Sequence, residues 1–198
     1  PPLPPCRPSD LEALGWVSQE VRRLETIVKQ FLEFSRPPDT RLAWVPASEL
    51  IASSTPLVEP LLNEKAITLK RELAADIPRL FIDREQMIQV TVNLLRNAAQ
   101  SLLTGGQISV SVAKENDASG RAEAVLRVGD NGPGIPADLQ VKVFEPFFTT
   151  KEDGTGLGVS IVASIVMRHG GRVEVESRAE GGTVIAVHLP LPQDGKPT

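Results

Sequence analysis

The chain has 198 residues and a formal net charge of −4, and 41% of its residues are hydrophobic. This length is enough for one well-buried domain with an appendage and too short for two full domains. Lys and Arg are scattered along the chain without a basic stripe, which excludes the usual surface for nucleic acid, so we expect no nucleic-acid partner.

Cysteine usage and hydropathy indicate the compartment. Cys6 is the single cysteine, so an intrachain disulfide is excluded and a thiolate metal site would lack ligands, which favours a reducing compartment. No apolar run approaches the roughly 20 residues that cross a bilayer, and the proline-rich start does not resemble a signal peptide. We expect a cytoplasmic chain without membrane contact of its own, whose parent protein could still be membrane-anchored.

The first predicted element is one helix of about 26 residues from Ser9 to Phe34. Ser9 and Glu12 form a capping-box pattern, and the pair Pro37 and Pro38 ends the helix. Apolar residues recur at alternating steps of three and four, which is typical of a coiled-coil seam, although packing on the chain's own core remains an alternative. The seam residues are Leu14, Val17, Val21, Leu24, Val28 and Phe31.

Beyond Pro38 the pattern changes to short strands and helices, which predicts two units, residues 1–40 and 41–198. Pro56 and Pro60 make the continuity of the first predicted helix of the second unit doubtful. Glycine pairs punctuate the turns at Gly105-Gly106, Gly170-Gly171 and Gly181-Gly182. The predicted strands are Leu42 to Val45, Ile67 to Arg71, Arg79 to Ile82, Gln107 to Ala113, Ala122 to Gly129, Arg172 to Ser177 and Thr183 to Leu189, and the helices are Ala47 to Asn63, Asp83 to Leu103 and Gly156 to His169.

The helix from Asp83 to Leu103 carries two asparagines four residues apart, Asn93 and Asn97. Side chains at this spacing project from one side of a helix, where neutral amide oxygens suit a hard cation such as Mg²⁺. Paired polar residues on a solvated face are also ordinary. The predicted buried stripe is Ile88, Leu95, Ala98 and Leu102, and the predicted polar face is Gln86, Gln89, Asn93, Arg96, Asn97 and Gln100.

A turn rich in glycine and proline, Asp130 to Pro136, follows directly on a predicted strand. Such a turn lets the backbone approach a flat ligand, and the Asp130 carboxylate can accept a hydrogen bond from an exocyclic amine. As an isolated motif, Asp-Asn-Gly is also simply a common turn.

Two further segments complete the set of candidate motifs. Gly154 to Gly158 precedes an apolar helix and can expose backbone N–H groups to a polyphosphate, although it does not match the Walker pattern. The segment Phe144 to Lys151 contains three of the six phenylalanines and suggests a lid, with Lys151 able to reach a terminal phosphate. The alternative is that the phenylalanines fill the core, and we expect at least one to do so.

In this order and spacing, the segments resemble the catalytic and ATP-binding domain of two-component sensor histidine kinases. That family lies within the superfamily that includes gyrase and the heat-shock chaperone ATPases. The amino-terminal helix, through Arg23-Leu24 and Phe31 to Pro37, resembles the second helix of the dimerisation domain in nitrogen-regulatory kinases. The motifs that carry the resemblance are Asn93 to Asn97, Asp130 to Gly134, Phe144 to Phe148, Gly154 to Gly158 and Gly182-Thr183.

The resemblance implies an α+β fold, a two-layer α/β sandwich of the Bergerat type with a long amphipathic helix before it. It implies ATP and Mg²⁺ as cofactors, with Asp130 recognising the adenine amino group and Asn97 holding the metal beside Asn93. Lys151 joins Asn93 and Asn97 as a candidate catalytic residue. The residues expected to contact the nucleotide are Asn93, Asn97, Asp130, Gly132, Gly134, Ile135, Lys151, Gly154, Thr155, Gly156, Leu157, Gly158 and Thr183.

Two departures from the family pattern matter. Where the ATPases and the anti-sigma serine kinases of the superfamily carry a glutamate base, this chain has Asn93, which favours transfer to histidine over hydrolysis. The acceptor histidine of the family is missing, because His169 and His188 are the only histidines and neither is expected to accept phosphate. His169 is expected to close its helix, where a cation at the C-terminus is favourable.

These expectations define a protein histidine kinase module that does not autophosphorylate by itself. It would transfer the γ-phosphate of Mg-ATP to a histidine outside this chain, and thence to an aspartate on the receiver domain of a response regulator. Its other expected partner is its own dimerisation domain or a second copy, through the helix from Ser9 to Ser35. The rival interpretations are an ATPase or serine kinase of the same superfamily, and a nonenzymatic nucleotide-binding or dimerisation module.

Overall fold

The computed structural model describes residues 15–18, 20, 21, 24, 25, 27, 28, 31, 32, 39–74, 79–151, 154–177 and 181–192. The chain divides into two compact units, Pro1–Pro38 and Asp39–Thr198. In the first unit the described residues are helical. Ser9, Glu12 and Leu14, on which the predicted cap and part of the predicted seam depend, lie outside the described residues.

Most apolar residues described in this amino-terminal helix are exposed, and Ile27 is half-buried. Trp16 is 80% exposed and Val17 is 60% exposed. The other described apolar residues of the helix that are exposed are Val21, Leu24, Val28, Phe31 and Leu32.

A five-stranded sheet forms the centre of the second unit, in the order β2-β4-β5-β7-β6, and a two-stranded sheet pairs β1 with β3. The pairing of β2 with β4 is parallel, and the other pairings are antiparallel. All seven predicted strands are present within three residues of their predicted ends. They are β1 (Ala43–Val45), β2 (Thr68–Leu73), β3 (Leu80–Ile82), β4 (Gln107–Asn116), β5 (Ala122–Asp130), β6 (Arg172–Ser177) and β7 (Thr183–Pro190).

Helices pack on one face of the five-stranded sheet, which confirms the two-layer α+β architecture. Burial alternates along β4, where Ile108, Val110 and Val112 turn towards the helices and are at most 1% exposed. The helices are α1 (Ala47–Ser54), α2 (Glu59–Glu64), α3 (Arg84–Ser101) and α4 (Gly158–Arg168). In the described parts of the chain, none of these combines the length and the apolarity needed to cross a bilayer.

The predicted helix from Ala47 to Asn63 is not continuous. The chain leaves α1 through a 3-10 turn at Thr55–Leu57 and restarts as α2, with Pro56 and Pro60 at the second positions of the turn and of the new helix. Proline lacks an N–H and is tolerated only in a first helical turn, so the two prolines set the break.

The polar face predicted for α3 needs one correction. Gln86 is buried instead of exposed, because it belongs to the cap of the helix, where the carboxylate of Asp83 accepts its backbone N–H. Within the predicted apolar stripe, Leu95, Ala98 and Leu102 are buried, while Ile88 is only half-buried. The remaining buried apolar side chains of the helix are Met87, Val90, Leu94 and Ala99.

Candidate functional site

The predicted site residues on α3 face the start of α4. A Cβ placed on Gly158 would lie 3.5 Å from Nδ2 of Asn97 and 3.7 Å from its Oδ1. The Nδ2 atom of Asn97 is buried and has no hydrogen-bond partner in the described structure. Buried amides are normally paired, and either end of the amide can be turned inward, so this group fits a ligand that supplies the missing partner. Asn93 lies one turn earlier and is half-buried.

The Asp130 carboxylate lies at the end of β5, opposite Thr183 of β7. Its Oδ1 accepts the N–H of Gly132 at 2.8 Å. Burial raises the pKa of Asp130, while hydrogen bonds from Gly132, the Ser101 hydroxyl and the Thr183 backbone, with the charge of Lys151, act in the opposite direction. A half-buried carboxylate held by donors on one side is a directed acceptor for a further donor.

Two residues that the sequence interpretation did not include hold this corner together. The hydroxyl of Ser101, at the last turn of α3, lies within hydrogen-bonding reach of the Asp130 carboxylate and of the Ala98 carbonyl, at 2.7 Å from the latter, and its single proton can serve one of these acceptors at a time. Asn131 fixes the turn itself, because its Oδ1 accepts the N–H of Gln107 at 2.7 Å. Neither residue belongs to a periodic pattern, so only an Asx-turn signal at Asn131 was available in the sequence.

The two predicted glycine turns around Asp130 lie against one another. Gly182 has a φ of 94°, and a Cβ there would overlap the carbonyl oxygen of Asp130. A Cβ on Gly132 would lie 2.8 Å from Oδ1 of Asp130. Gly134 and Ile135 follow in the same turn and are half-buried.

The glycine loop, Gly154 to Leu157, leads into α4, whose first residue lies beside Asn97. Leu157 is fully buried at the N-cap and its side chain makes no capping hydrogen bond. An uncapped N-terminus leaves backbone N–H groups and the positive end of the helix dipole available to an anion. Gly154, Thr155 and Gly156 lead into it and are half-buried.

The predicted lid touches the glycine loop through its backbone. The N–H of Phe147 donates to the carbonyl of Gly156 at 3.1 Å, and Phe147 has a φ of 67°, which is unusual for a residue other than glycine. Phe147 is 58% exposed, and Phe144 and Phe148 are half-buried. The expectation that at least one of these phenylalanines fills the core is therefore wrong.

Lys151 brings the lid to the asparagine helix. Its Nζ donates to Oε1 of Gln100 at 3.1 Å and to the carbonyl of Asn97 at 3.4 Å. The protein around the ammonium group lowers the pKa of Lys151, and the positive charge of Lys65 lowers it further. A partly desolvated cation beside Asn97 is suited to an anionic group bound at the start of α4.

The two histidines lie in structural positions. His169 is the C-cap of α4, and its Nε2 accepts the backbone N–H of Asp83 at 3.0 Å, which requires a neutral ring, so the expectation of a cation at this helix end is wrong. Burial lowers the pKa of His169, which favours the same neutral form. His188 is buried on β7, where Nδ1 lies 3.1 Å from Glu123, whose carboxylate is also paired with Arg172.

The comparisons with known proteins agree on one family. A family model described as histidine kinase-, DNA gyrase B- and HSP90-like ATPase matches residues 82–193. The C4-dicarboxylate transport sensor protein DctS of Rhodobacter capsulatus is 32% identical over 190 residues, covering 94% of this chain and 28% of DctS. The signal transduction histidine-protein kinase AtoS of Escherichia coli K12 is 32% identical over 191 residues, covering 96% of this chain and 31% of AtoS. The chain thus spans less than a third of the length of these relatives.

Solved structures give the same result. The catalytic domain of histidine kinase ThkA superposes with a TM-score of 0.68 at 32% identity, covering 76% of this chain and 95% of that one. ThkA in complex with the response regulator protein TrrA superposes with a TM-score of 0.76 at 31% identity, covering 96% of this chain and 54% of that one.

Proposed function

Because the chain belongs to the ATP-binding catalytic domains of sensor histidine kinases, we propose that it transfers the γ-phosphate of Mg-ATP to a histidine outside this chain. One observation carries the proposal. Nδ2 of Asn97, which has no partner in the described structure, lies beside the start of α4, and Lys151 of the predicted lid lies against the same turn of α3. An amide ligand, an anion cradle and a cation in one place suit a metal-bound polyphosphate.

Adenine recognition is assigned to the corner around Asp130. The carboxylate accepts the exocyclic amino group, and Ser101 and Thr183 support it from α3 and β7. Gly132, Gly134 and Ile135 allow the backbone to approach the base closely. A carboxylate that can only accept would discriminate against bases that present a carbonyl in place of the amino group.

Phosphate binding is assigned to the glycine loop and the asparagines. Asn97 supplies an amide oxygen to Mg²⁺ with Asn93 beside it, and Gly154 to Gly158, including Thr155 and Leu157, contact the phosphates. Bound there, Mg²⁺ would supply neutralisation of the negative charge on the phosphates. Lys151 leaves Gln100 for the terminal phosphate as the lid closes.

The transfer step needs little chemistry from the protein. A histidine nitrogen attacks the γ-phosphorus as the bond to the bridging oxygen breaks, and ADP leaves. Positioning by the helices and charge neutralisation by Lys151 supply the catalysis. Because Asn93 cannot act as a general base, hydrolysis by water is slow. The phosphohistidine then passes its phosphate to the receiver domain of a response regulator, the class of partner bound to ThkA in its complex.

The test adds a segment that carries the acceptor histidine, in trans, to the 198-residue chain with Mg-ATP labelled at the γ-phosphate. Label should appear on that histidine with the unchanged chain and not with Asp130→Ala. A calorimetric titration with Mg-ADP precedes it, and Asp130→Ala should abolish that binding. Binding without transfer to any histidine segment would instead support a nonenzymatic nucleotide-binding module. Rapid release of free phosphate would support an ATPase.

A further inference from the structure

His169 connects two helices through both of its ring nitrogens. The residue directly follows α4, and its Nδ1 lies 2.8 Å from the carbonyl oxygen of Ile165. Its Nε2 accepts the backbone N–H of Asp83, 86 residues earlier, at 3.0 Å. A neutral imidazole carries one N–H, so Nδ1 donates to Ile165 and Nε2 is the acceptor. This arrangement requires the neutral ring.

Asp83 is itself fixed at the start of α3. The residue is the N-cap, and Oδ1 of its carboxylate accepts the N–H of Gln86 at 3.1 Å. Its Oδ2 accepts the N–H of Arg41 at 2.7 Å. Asp83 is 7% exposed. The ring of His169 therefore binds a backbone N–H, that of Asp83, which is held in place by these contacts.

The same two helices meet again at the candidate nucleotide site. The C-terminal end of α4 lies at residue 83, before α3 begins, and its first residue, Gly158, lies beside Asn97. The two helices therefore run in opposite directions, and α4 spans about 16 Å at 1.5 Å per residue. A shift of α4 along α3 by a single residue would move the glycine loop past Asn97 by about 1.5 Å.

We infer that His169 is a positioning residue for nucleotide binding. Its neutral ring sets the position of α4 along α3, and thereby the separation of Asn97 from the glycine loop at the other end. This inference rests on the proposed nucleotide function, and it assigns a task to a histidine that the transfer step does not use. Gly158 has no side chain to bond to Asn97, and even a Cβ placed there would only reach van der Waals distance, 3.5 Å from Nδ2 of Asn97. The hydrogen bonds of His169 at the far end of α4 therefore provide the directional constraint.

Protonation of His169 would break this connection, because Nε2 would then present an N–H to the N–H of Asp83. Burial is the main reason that the pKa of His169 is lowered, and the positive charge of Arg168 acts in the same direction. The Ile165 carbonyl and the charge of Asp83 oppose them. With a folded-state pKa below the unfolded value, the contribution is present above about pH 6.5 and is lost as the pH falls through the folded-state pKa.

The experiment measures the dissociation constant of Mg-ADP between pH 5 and 8 for the 198-residue chain. The variants are His169→Ala, His169→Gln, which keeps an acceptor that does not titrate, and His188→Gln as the matched control at the only other histidine. His169→Ala should bind about tenfold more weakly at pH 8, because the Asp83 N–H loses its partner. His169→Gln should restore most of that affinity at pH 8. In the unchanged chain we expect the affinity to fall at acid pH, and His169→Gln should remove the part of this fall that is due to His169. His188→Gln should keep the pH profile of the unchanged chain.

Folding and nucleotide binding are separated by two further measurements. Circular dichroism at each pH identifies conditions in which His169→Ala is folded, and affinities are compared there. The amide resonance of Asp83 should titrate with the His169 ring, whether or not nucleotide binds. The inference would be overturned by a folded His169→Ala chain that binds like the unchanged chain. It would also be overturned by a loss of affinity at acid pH that is as large in His169→Gln as in the unchanged chain. No Mg-ADP binding by the unchanged chain, with Asp83 still titrating, would count against the proposed function alone.

Discussion

At the scale of single residues, the contact between Gly156 and Phe147 decides how the lid meets the glycine loop. Gly156 has a φ of 67°, and a Cβ there would lie 2.6 Å from the carbonyl oxygen of Phe147. Gly120, in the turn between β4 and β5, has a φ of 82° and nothing within 4 Å of the same position. Alanine at either glycine would strain a left-handed backbone, but only alanine at Gly156 would also clash with the lid. Comparing the two substitutions therefore separates the energetic cost of the backbone conformation from that of the clash.

We expect Gly156→Ala to weaken Mg-ADP binding about tenfold or more, because the lid backbone must move away from the loop. Gly120→Ala should reduce the free energy of unfolding by about 1 kcal/mol and leave binding unchanged. Calorimetric titration and urea unfolding of both variants check this. Equal nucleotide affinities in the two variants would mean that the lid contact has no part in binding.

At the scale of elements, α3 depends on residues outside itself at both ends. Asp83 caps its start, and the helix has no basic residue in its last turn. Lys65, which follows α2, supplies that charge, since its Nζ donates to the carbonyls of Ala99 and Leu102 at 2.9 Å each. A cation on the last carbonyls of a helix offsets its dipole and satisfies groups that lack partners within the helix.

Lys65→Met should lower the free energy of unfolding by about 1–2 kcal/mol, because the stem is kept while both hydrogen bonds are lost. Lys142→Met, at an exposed position, should change it by less than about 0.5 kcal/mol. Urea denaturation at pH 7 measures both. A Lys65→Met chain as stable as the Lys142→Met control would show that water serves these carbonyls equally well.

At the scale of the whole molecule, the amino-terminal helix leaves a row of apolar residues in solvent. Trp16, Val17 and Val28 are each more than half exposed. The exposed residues Val17, Val21, Leu24, Val28 and Phe31 repeat at alternating steps of four and three, as in a coiled-coil seam, and an apolar stripe of this kind normally meets a partner. A second copy of this chain or the rest of its dimerisation domain remains the predicted partner.

Removal of residues 1–38 should therefore change the association state. We expect the 198-residue chain to self-associate at micromolar concentration in sedimentation experiments, and residues 39–198 alone to sediment as a monomer. Val21→Glu with Val28→Glu, two substitutions in the seam, should have the same effect as the deletion. A 198-residue chain that stays monomeric throughout this range would refute self-association through the seam.

Much of the candidate site could be predicted from the sequence because its motifs are local. Asn93 and Asn97 share a helix face by spacing alone, and the glycines before α4 mark a helix start. The assignment to the nitrogen-regulatory type and the individual roles of the site residues stay predictions. Ser101 could not be identified, because its partner Asp130 is 29 residues away in sequence. Asn131 lies within the predicted turn, but its bond to Gln107, 24 residues away, could not be predicted.

The sequence by itself determined where strands and helices lie, because periodicity, proline and glycine act over a few residues. Only the tertiary structure decided the strand order β2-β4-β5-β7-β6 and the approach of Asn97 to Gly158. The tertiary structure also makes His169 a half-buried neutral ring that accepts the N–H of Asp83, where the sequence predicted a cation at a helix end. Burial and partners distant in the chain set such properties, and neither is encoded in local spacing.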